Sequence, residues 1–236
     1  VEQHIQRLLL GCERLKISFQ DIKSLRNELD LVYQNLNDSD AVIKIIITRG
    51  SGGRGYFADS NVEPTRIIST HAHPSYPESY SQKGICVRLC RHTLSENSNL
   101  AGIKHLNRLD NVLARNEWAD LKIAEGLMFD QSNQLIEGTM SNVFIVKSNH
   151  LMTPLLNKSG VLGIIRAQLI QFARELGFTV EEKIITQDDL VDADEAFVCN
   201  SINGIWPIVS IADSATTYPL GPITQQLQQA LLHADK

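Results

Sequence analysis

The strongest constraint on this chain is a series of short apolar runs rich in β-branched residues, each closed by turn formers. The clearest occupies positions 41–49 (AVIKIIITR). Branched side chains are restricted in a helix and fit a pleated surface, so this run is expected to form a central strand. Further strand-like runs fall at 65–70, 84–90, 126–130, 135–136, 140–146, 151–153 and 178–185, with two more inside 196–209. Amphipathic stretches alternate with them. Ile5, Leu8, Leu9, Cys12, Leu15 and Ile17 form one stripe, and Ile22, Leu25, Leu29, Val32 and Leu36 form another. Both follow helical spacing. Polar residues 37–40 are expected to end the second helix. A third helix is expected over 106–123, burying Leu109, Val112, Leu113 and Trp118. A fourth follows Gly163 with Leu169, Ile170, Phe172, Ala173 and Leu176 inward, and a last one runs from Ile223 to about His233. Thr186 opens a short segment that resembles a capping box.

Residues 71–83 are rich in Pro, Ser, Tyr and His, the composition of a linker, which sets expected domains of 1–78 and 79–236. Because the first stripe begins almost at Val1, further residues are expected ahead of it in the native protein. No apolar run approaches the roughly 20 residues of a membrane span, and no signal-peptide pattern opens the chain, so a cytoplasmic protein with no membrane partner is expected. Acidic side chains outnumber basic ones, 27 to 22, with no basic stripe, which argues against a nucleic-acid partner. Cys12, Cys86, Cys90 and Cys199 are scattered without ligand partners at matching spacing, so no metal site is expected.

Several residues carry chemistry only if they converge. Lys104 follows the small or apolar Leu100, Ala101, Gly102 and Ile103 and precedes a helix. It is either an ordinary solvated lysine or an amine in a partly desolvated place, where a lowered pKa makes it a nucleophile and base. Glu137 sits where a strand breaks at Gly138. It is either a turn residue in water or a buried carboxylate paired with a cation. Arg49 ends the first strand ahead of a glycine-rich stretch, 50–55, which is a flexible loop or a place where a fixed cation meets an anion. Gly163 is helix punctuation or the opening of an anion-binding helix N-terminus. The polar corner at Asn200 and Ser201 offers amide and hydroxyl donors to the same anion.

Residues 48–56 (TRGSGGRGY) and 100–109 (LAGIKHLNRL), Glu137 with 141–144 (SNVF), 163–166 (GIIR) and Asn200-Ser201 together resemble the branched-chain and D-amino-acid aminotransferase class of pyridoxal-phosphate enzymes. Within that class the first two stretches are similar to the 4-amino-4-deoxychorismate lyases. The resemblance implies an α+β, two-domain, fold type IV pyridoxal-phosphate enzyme, with a small N-terminal α/β domain and a larger C-terminal mixed β domain carrying helices. It also implies a homodimer with the cofactor between the domains. Lys104 would hold pyridoxal 5'-phosphate covalently and then shuttle protons, while Glu137 would pair with the pyridine nitrogen. Arg49, Asn142, Gly163, Ile164, Ile165, Asn200 and Ser201 would complete cofactor binding. Arg91, His105 and Arg108 are candidates for substrate carboxylates. The expected reaction yields 4-aminobenzoate and pyruvate. The alternatives are a D- or branched-chain amino-acid transaminase and a cofactor-binding protein without activity. Family members carry a strand pair ahead of the first helix, which has no counterpart in this sequence. Ile165 stands where the transaminases often have threonine, so it offers only its backbone N–H.

Overall fold

A computed structural model describes residues 1–36, 41–59 and 62–234. The polar stretch 37–40, expected to end the second helix, lies outside the described residues. The chain divides into two compact units, Val1–Ser75 and Tyr76–Lys236.

In the first unit, helices α1 (Glu2–Arg14) and α2 (Ile22–Gln34) cover an antiparallel pair, β1 (Ala41–Thr48) and β2 (Thr65–Ala72). Ala41 stands opposite Ala72, a register that puts Ile43, Ile45 and Ile68 against the helical Ile5, Leu25 and Leu29. The Asp21 side chain caps α2 by accepting from the Ser24 N–H at 3.1 Å. The first stripe stops short of its expected end. Lys16 enters a left-handed backbone conformation (φ 54°), and the Leu15 and Lys16 carbonyls accept instead from the Arg49 guanidinium.

The second unit runs α3 (Ser79–Lys83), β3 (Ile85–Leu89), α4 (Leu109–Arg115), β4 (Ile123–Phe129), β5 (Leu135–Gly138), β6 (Asn142–Lys147), β7 (His150–Pro154), α5 (Ile164–Glu175), β8 (Thr179–Lys183), α6 (Gln187–Val191), β9 (Glu195–Asn200), β10 (Gly204–Ile211) and α7 (Pro222–Ala234). Its strands form one mixed, eight-stranded sheet in the order β5-β4-β3-β10-β9-β6-β7-β8. Both faces are covered. Along β6, Val143 and Ile145 enter one core with Val87, Leu127 and Ile208, whereas Phe144 and Val146 enter the other with Phe197, Leu169 of α5 and Leu227 of α7. A continuous apolar run therefore serves a strand buried on both sides.

One connection forces the sheet to curl. β5 and β6 are consecutive in the chain but five places apart in the strand order. Five strand spacings amount to about 24 Å. The link from Gly138 to Asn142 reaches at most about 14 Å when extended. The edge must roll over, and the Gly138 N–H donates to the Ser141 carbonyl at 2.7 Å where it does so.

The third helix differs from expectation. It covers only Leu109–Arg115, with Leu109, Val112 and Leu113 exposed and Ala114 buried in their place. The chain leaves the helix because Glu117 and Trp118 have other partners. The Glu117 carboxylate accepts from the N–H groups of Arg91 and His92, and the Trp118 indole donates to the Ile123 carbonyl at 3.0 Å beneath β4. Gly126 admits that ring, since a Cβ there would lie 2.7 Å from it. The capping box at Thr186 is present, closing α6 with Asp189. Among the described residues no helix is long and apolar enough to cross a membrane, and no cluster of His, Cys, Asp and Glu could hold a metal ion.

Leu25 is fully buried under the small sheet. Leu25→Ala is expected to destabilise the first unit by about 2–5 kcal/mol, read as a lowered urea midpoint at unchanged slope.

Candidate active site

The site is assembled on residues 160–163, which thread between the strand ends of the large unit. Gly102 pairs with Val161 in an isolated parallel bridge. Its N–H donates to the Gly160 carbonyl at 2.9 Å, and its own carbonyl accepts from Leu162 at 3.1 Å. Lys104 is thereby placed two residues beyond a fixed point. The Val161 N–H donates to Glu137 Oε2, and the Val161 carbonyl accepts from Asn142 Nδ2, both at 2.8 Å. The backbone N–H and carbonyl of one residue thus orient Glu137 at the end of β5 and Asn142 at the start of β6. Gly160 has φ +83°, and a Cβ there would press on Leu156, Ile136 and Glu137, so only glycine lets the segment pass.

Glu137 is 3% exposed and faces two cations. Arg108 Nη1 lies 3.9 Å from Oε1, and Lys104 acts on it electrostatically. Burial pushes its pKa up to about 7. The Val161 N–H, the two cations and the Asn111 amide oppose that rise without cancelling it. This is a carboxylate short of positive charge.

Arg108 also donates from Nη2 to the Ile103 carbonyl at 2.9 Å and from Nε to the His105 carbonyl at 3.1 Å. It clasps the peptides on both sides of Lys104, so its guanidinium is committed to the chain as well as to Glu137. The Lys104 side chain is exposed although Ala101, Gly102 and Ile103 are buried, which corrects the expectation that its amine enters a desolvated place. Burial of a backbone segment says little about the tip of a long side chain. His105 is half-buried with Nδ1 unpaired, and burial with the neighbouring Arg108 charge lowers its pKa, favouring the neutral ring. Arg91 is exposed at the end of β3, its N–H held by Glu117.

Gly163 is the N-cap of α5, and no side chain caps the first turn, leaving the N–H groups of Ile164 and Ile165 to point outward. A Cβ at Gly163 would collide with Asn142 Oδ1. In the sheet Asn142 stands opposite Cys199, which brings Asn200 and Ser201 to the same end. Asn200 accepts from the Ile202 and Asn203 N–H groups and donates to the Met140 carbonyl at 3.2 Å, while Ser201 is exposed in the turn. The large unit therefore brings together Lys104, Glu137, Asn142, Gly163, Asn200 and Ser201. Arg49 belongs to the small unit, where it holds the end of α1.

Two contributors escaped the sequence reading. Val161 acts through its peptide, which no residue type marks. Glu125, buried in β4, was legible as a lone acid inside an apolar run, 123–129 (IAEGLMF).

Residues 1–211 match the amino-transferase class IV family, and the chain belongs to it. It is 34% identical over 230 residues to the aminodeoxychorismate lyase of Vibrio harveyi, covering 96% of this chain and 84% of that protein. The crystal structure of 4-amino-4-deoxychorismate lyase from Pseudomonas aeruginosa superposes with a TM-score of 0.93 at 41% identity, covering 98% of this chain and 84% of that one. The branched-chain amino-acid aminotransferase of Escherichia coli gives a TM-score of 0.83 at 27% identity, over 98% and 76%.

In cofactor-free protein the raised pKa of Glu137 has a definite sign. Between pH 4.5 and about 7 the folded form keeps a proton that the unfolded form has lost, so stability falls as pH rises through that window. Glu137→Gln removes this loss. Relative to the native chain, the variant is expected to gain on the order of 1–3 kcal/mol between pH 5 and pH 8, measured by chemical denaturation at both values.

Proposed function

We propose that this chain is a pyridoxal-phosphate-dependent lyase that converts 4-amino-4-deoxychorismate to 4-aminobenzoate and pyruvate, acting in the cytoplasm as a homodimer. What carries the reading is near-full-length similarity to proteins named as that lyase, joined to a buried carboxylate whose pKa burial raises in spite of Arg108 and Lys104. The residues present fit the cofactor. Glu137 is the partner a cationic pyridine nitrogen requires, and its buried ionised form, held back by desolvation, is favoured further by such a partner. The uncapped first turn of α5, with Gly163 held against Asn142, suits a phosphate, to which Ser201 and the Asn200 amide add polar groups.

When bound, pyridoxal phosphate supplies a conjugated, electron-withdrawing ring that stabilises negative charge at the substrate carbon next to the amine. Lys104 is the residue that would hold it. With its amine free, Lys104 Nζ would be the base that removes the proton from substrate C4. The C3–O bond breaks, the enol of pyruvate leaves, and the remaining ring becomes aromatic, which drives the reaction forward. Lys104 or a water returns a proton to the departing oxygen. Arg108, by fixing the Ile103 and His105 carbonyls, keeps Lys104 in place for both transfers. We assign the substrate carboxylates to Arg91 and His105. Transaminase relatives share the fold, so the reaction itself discriminates.

Incubation with 4-amino-4-deoxychorismate and no keto-acid acceptor is expected to release 4-aminobenzoate and pyruvate in equal amounts over many turnovers. A transaminase would stop after one. Lys104→Ala is expected to lower the rate by roughly 10²–10⁴-fold or more.

The outward Leu109, Val112 and Leu113 of α4 form the surface we assign to the dimer contact. Leu109→Glu with Leu113→Glu is expected to give monomers of about half the native mass in sedimentation analysis, whereas an unchanged mass would remove the assignment.

A further inference from the structure

Glu125 is 1% exposed, and among the described residues it forms no ion pair. Its carboxylate is met instead by a ring of donors. Oε1 accepts from the N–H groups of Gly126 at 2.8 Å and Thr139 at 3.0 Å, and from Thr139 Oγ1 at 2.6 Å. Oε2 accepts from the Met140 N–H at 3.3 Å and from Ser141 Oγ at 2.7 Å. Four of these five bonds come from one turn, 139–141, which directly joins the end of β5 to the start of β6. The same turn receives Asn111 Nδ2 on the Thr139 carbonyl at 3.0 Å and Asn200 Nδ2 on the Met140 carbonyl. Gly138 is part of the arrangement, since a Cβ there would collide with Ser141 Oγ and approach Glu125 Oε2 to 2.9 Å. A charged group buried without a counterion costs stability unless hydrogen bonds repay it, and here they are spent on a turn of a few residues.

We propose that Glu125 is a positioning residue: it clamps the 139–141 turn and so fixes Glu137 on one side and Asn142 on the other. It touches neither cofactor nor substrate. Its effect on catalysis rests on the reading of Glu137 and Asn142 given above, but its effect on Glu137 does not. A carboxylate suits the site because three partners are backbone N–H groups, which can only donate, and the two hydroxyls donate to it as well. In Glu125→Gln an NH₂ replaces one oxygen and confronts either the Thr139 or the Met140 N–H, donor against donor. The turn then loosens, and Glu137 loses the geometry that keeps it buried between Val161, Arg108, Asn111 and the Lys104 charge.

The test follows Glu137 itself. In cofactor-free protein labelled with ¹³C at the glutamate carboxyls, with the signal assigned by its loss in Glu137→Gln, the Glu137 midpoint is expected near pH 7. Glu125→Gln is expected to move it down by a unit or more, and Ser141→Ala, which removes a single donor, by less in the same direction. An unmoved midpoint in folded Glu125→Gln overturns the proposal. If circular dichroism shows that variant unfolded, Ser141→Ala decides in the same way. In a second arm, the dissociation constant for pyridoxal phosphate is expected to rise tenfold or more in Glu125→Gln. A shifted midpoint with unchanged affinity would leave Glu125 as the clamp and overturn the cofactor role of Glu137.

Discussion

The backbone of a single residue, Val161, holds the large unit's functional end together. Its N–H satisfies Glu137 and its carbonyl satisfies Asn142, so two side chains from strands five places apart in the sheet are fixed by the two peptide planes that meet at one Cα. A peptide has no rotamers to lose, which makes it a better reference point than a side chain. Gly102 reads the same segment from the other side and delivers Lys104 to it. Lysine, glutamate and the α5 N-terminus are therefore not three placements but one.

Burial is what gives Glu137 its character. Left in water it would be an unremarkable carboxylate, whereas here solvent exclusion outweighs the hydrogen bond from Val161 and the nearby charges of Arg108 and Lys104. Arg108 cannot neutralise it fully, because at 3.9 Å its guanidinium is also bonded to the carbonyls around Lys104. Two demands on one cation leave the carboxylate under-compensated, which favours a further positive group against it. Glu125, on the neighbouring strand β4, shows the contrasting solution of many neutral donors.

Much of this was legible in the sequence. The strand at β6 announced itself because both of its faces are buried, and the hairpin of β4 and β5 because turn residues separate two apolar runs. The first two helices followed from spacing alone. The helix after Lys104 misled for a physical reason: Leu109, Val112 and Leu113 carry the right period, yet they face outward, and periodicity cannot tell a core from an uncovered surface. The apolar residues ahead of Lys104 reported the burial of their own backbone and not of its amine. The stitching by Gly102, Gly160 and Val161 was hidden because backbone groups are common to every residue. The acid at position 125 falls outside the run expected at 126–130, because β4 begins three residues earlier, at Ile123.

The short link between β5 and β6 has a consequence for how the large unit acquires its structure. Rolling one sheet edge back over its interior demands that most of the intervening pairings already exist, and these join residues distant in the chain, as in Ile208 against Ile85. Such contacts pay their loop-closure entropy before they return any energy. The functional end is thus the seam at which the sheet shuts, and a folding chain that has not finished its topology has no partially formed version of this chemistry to offer.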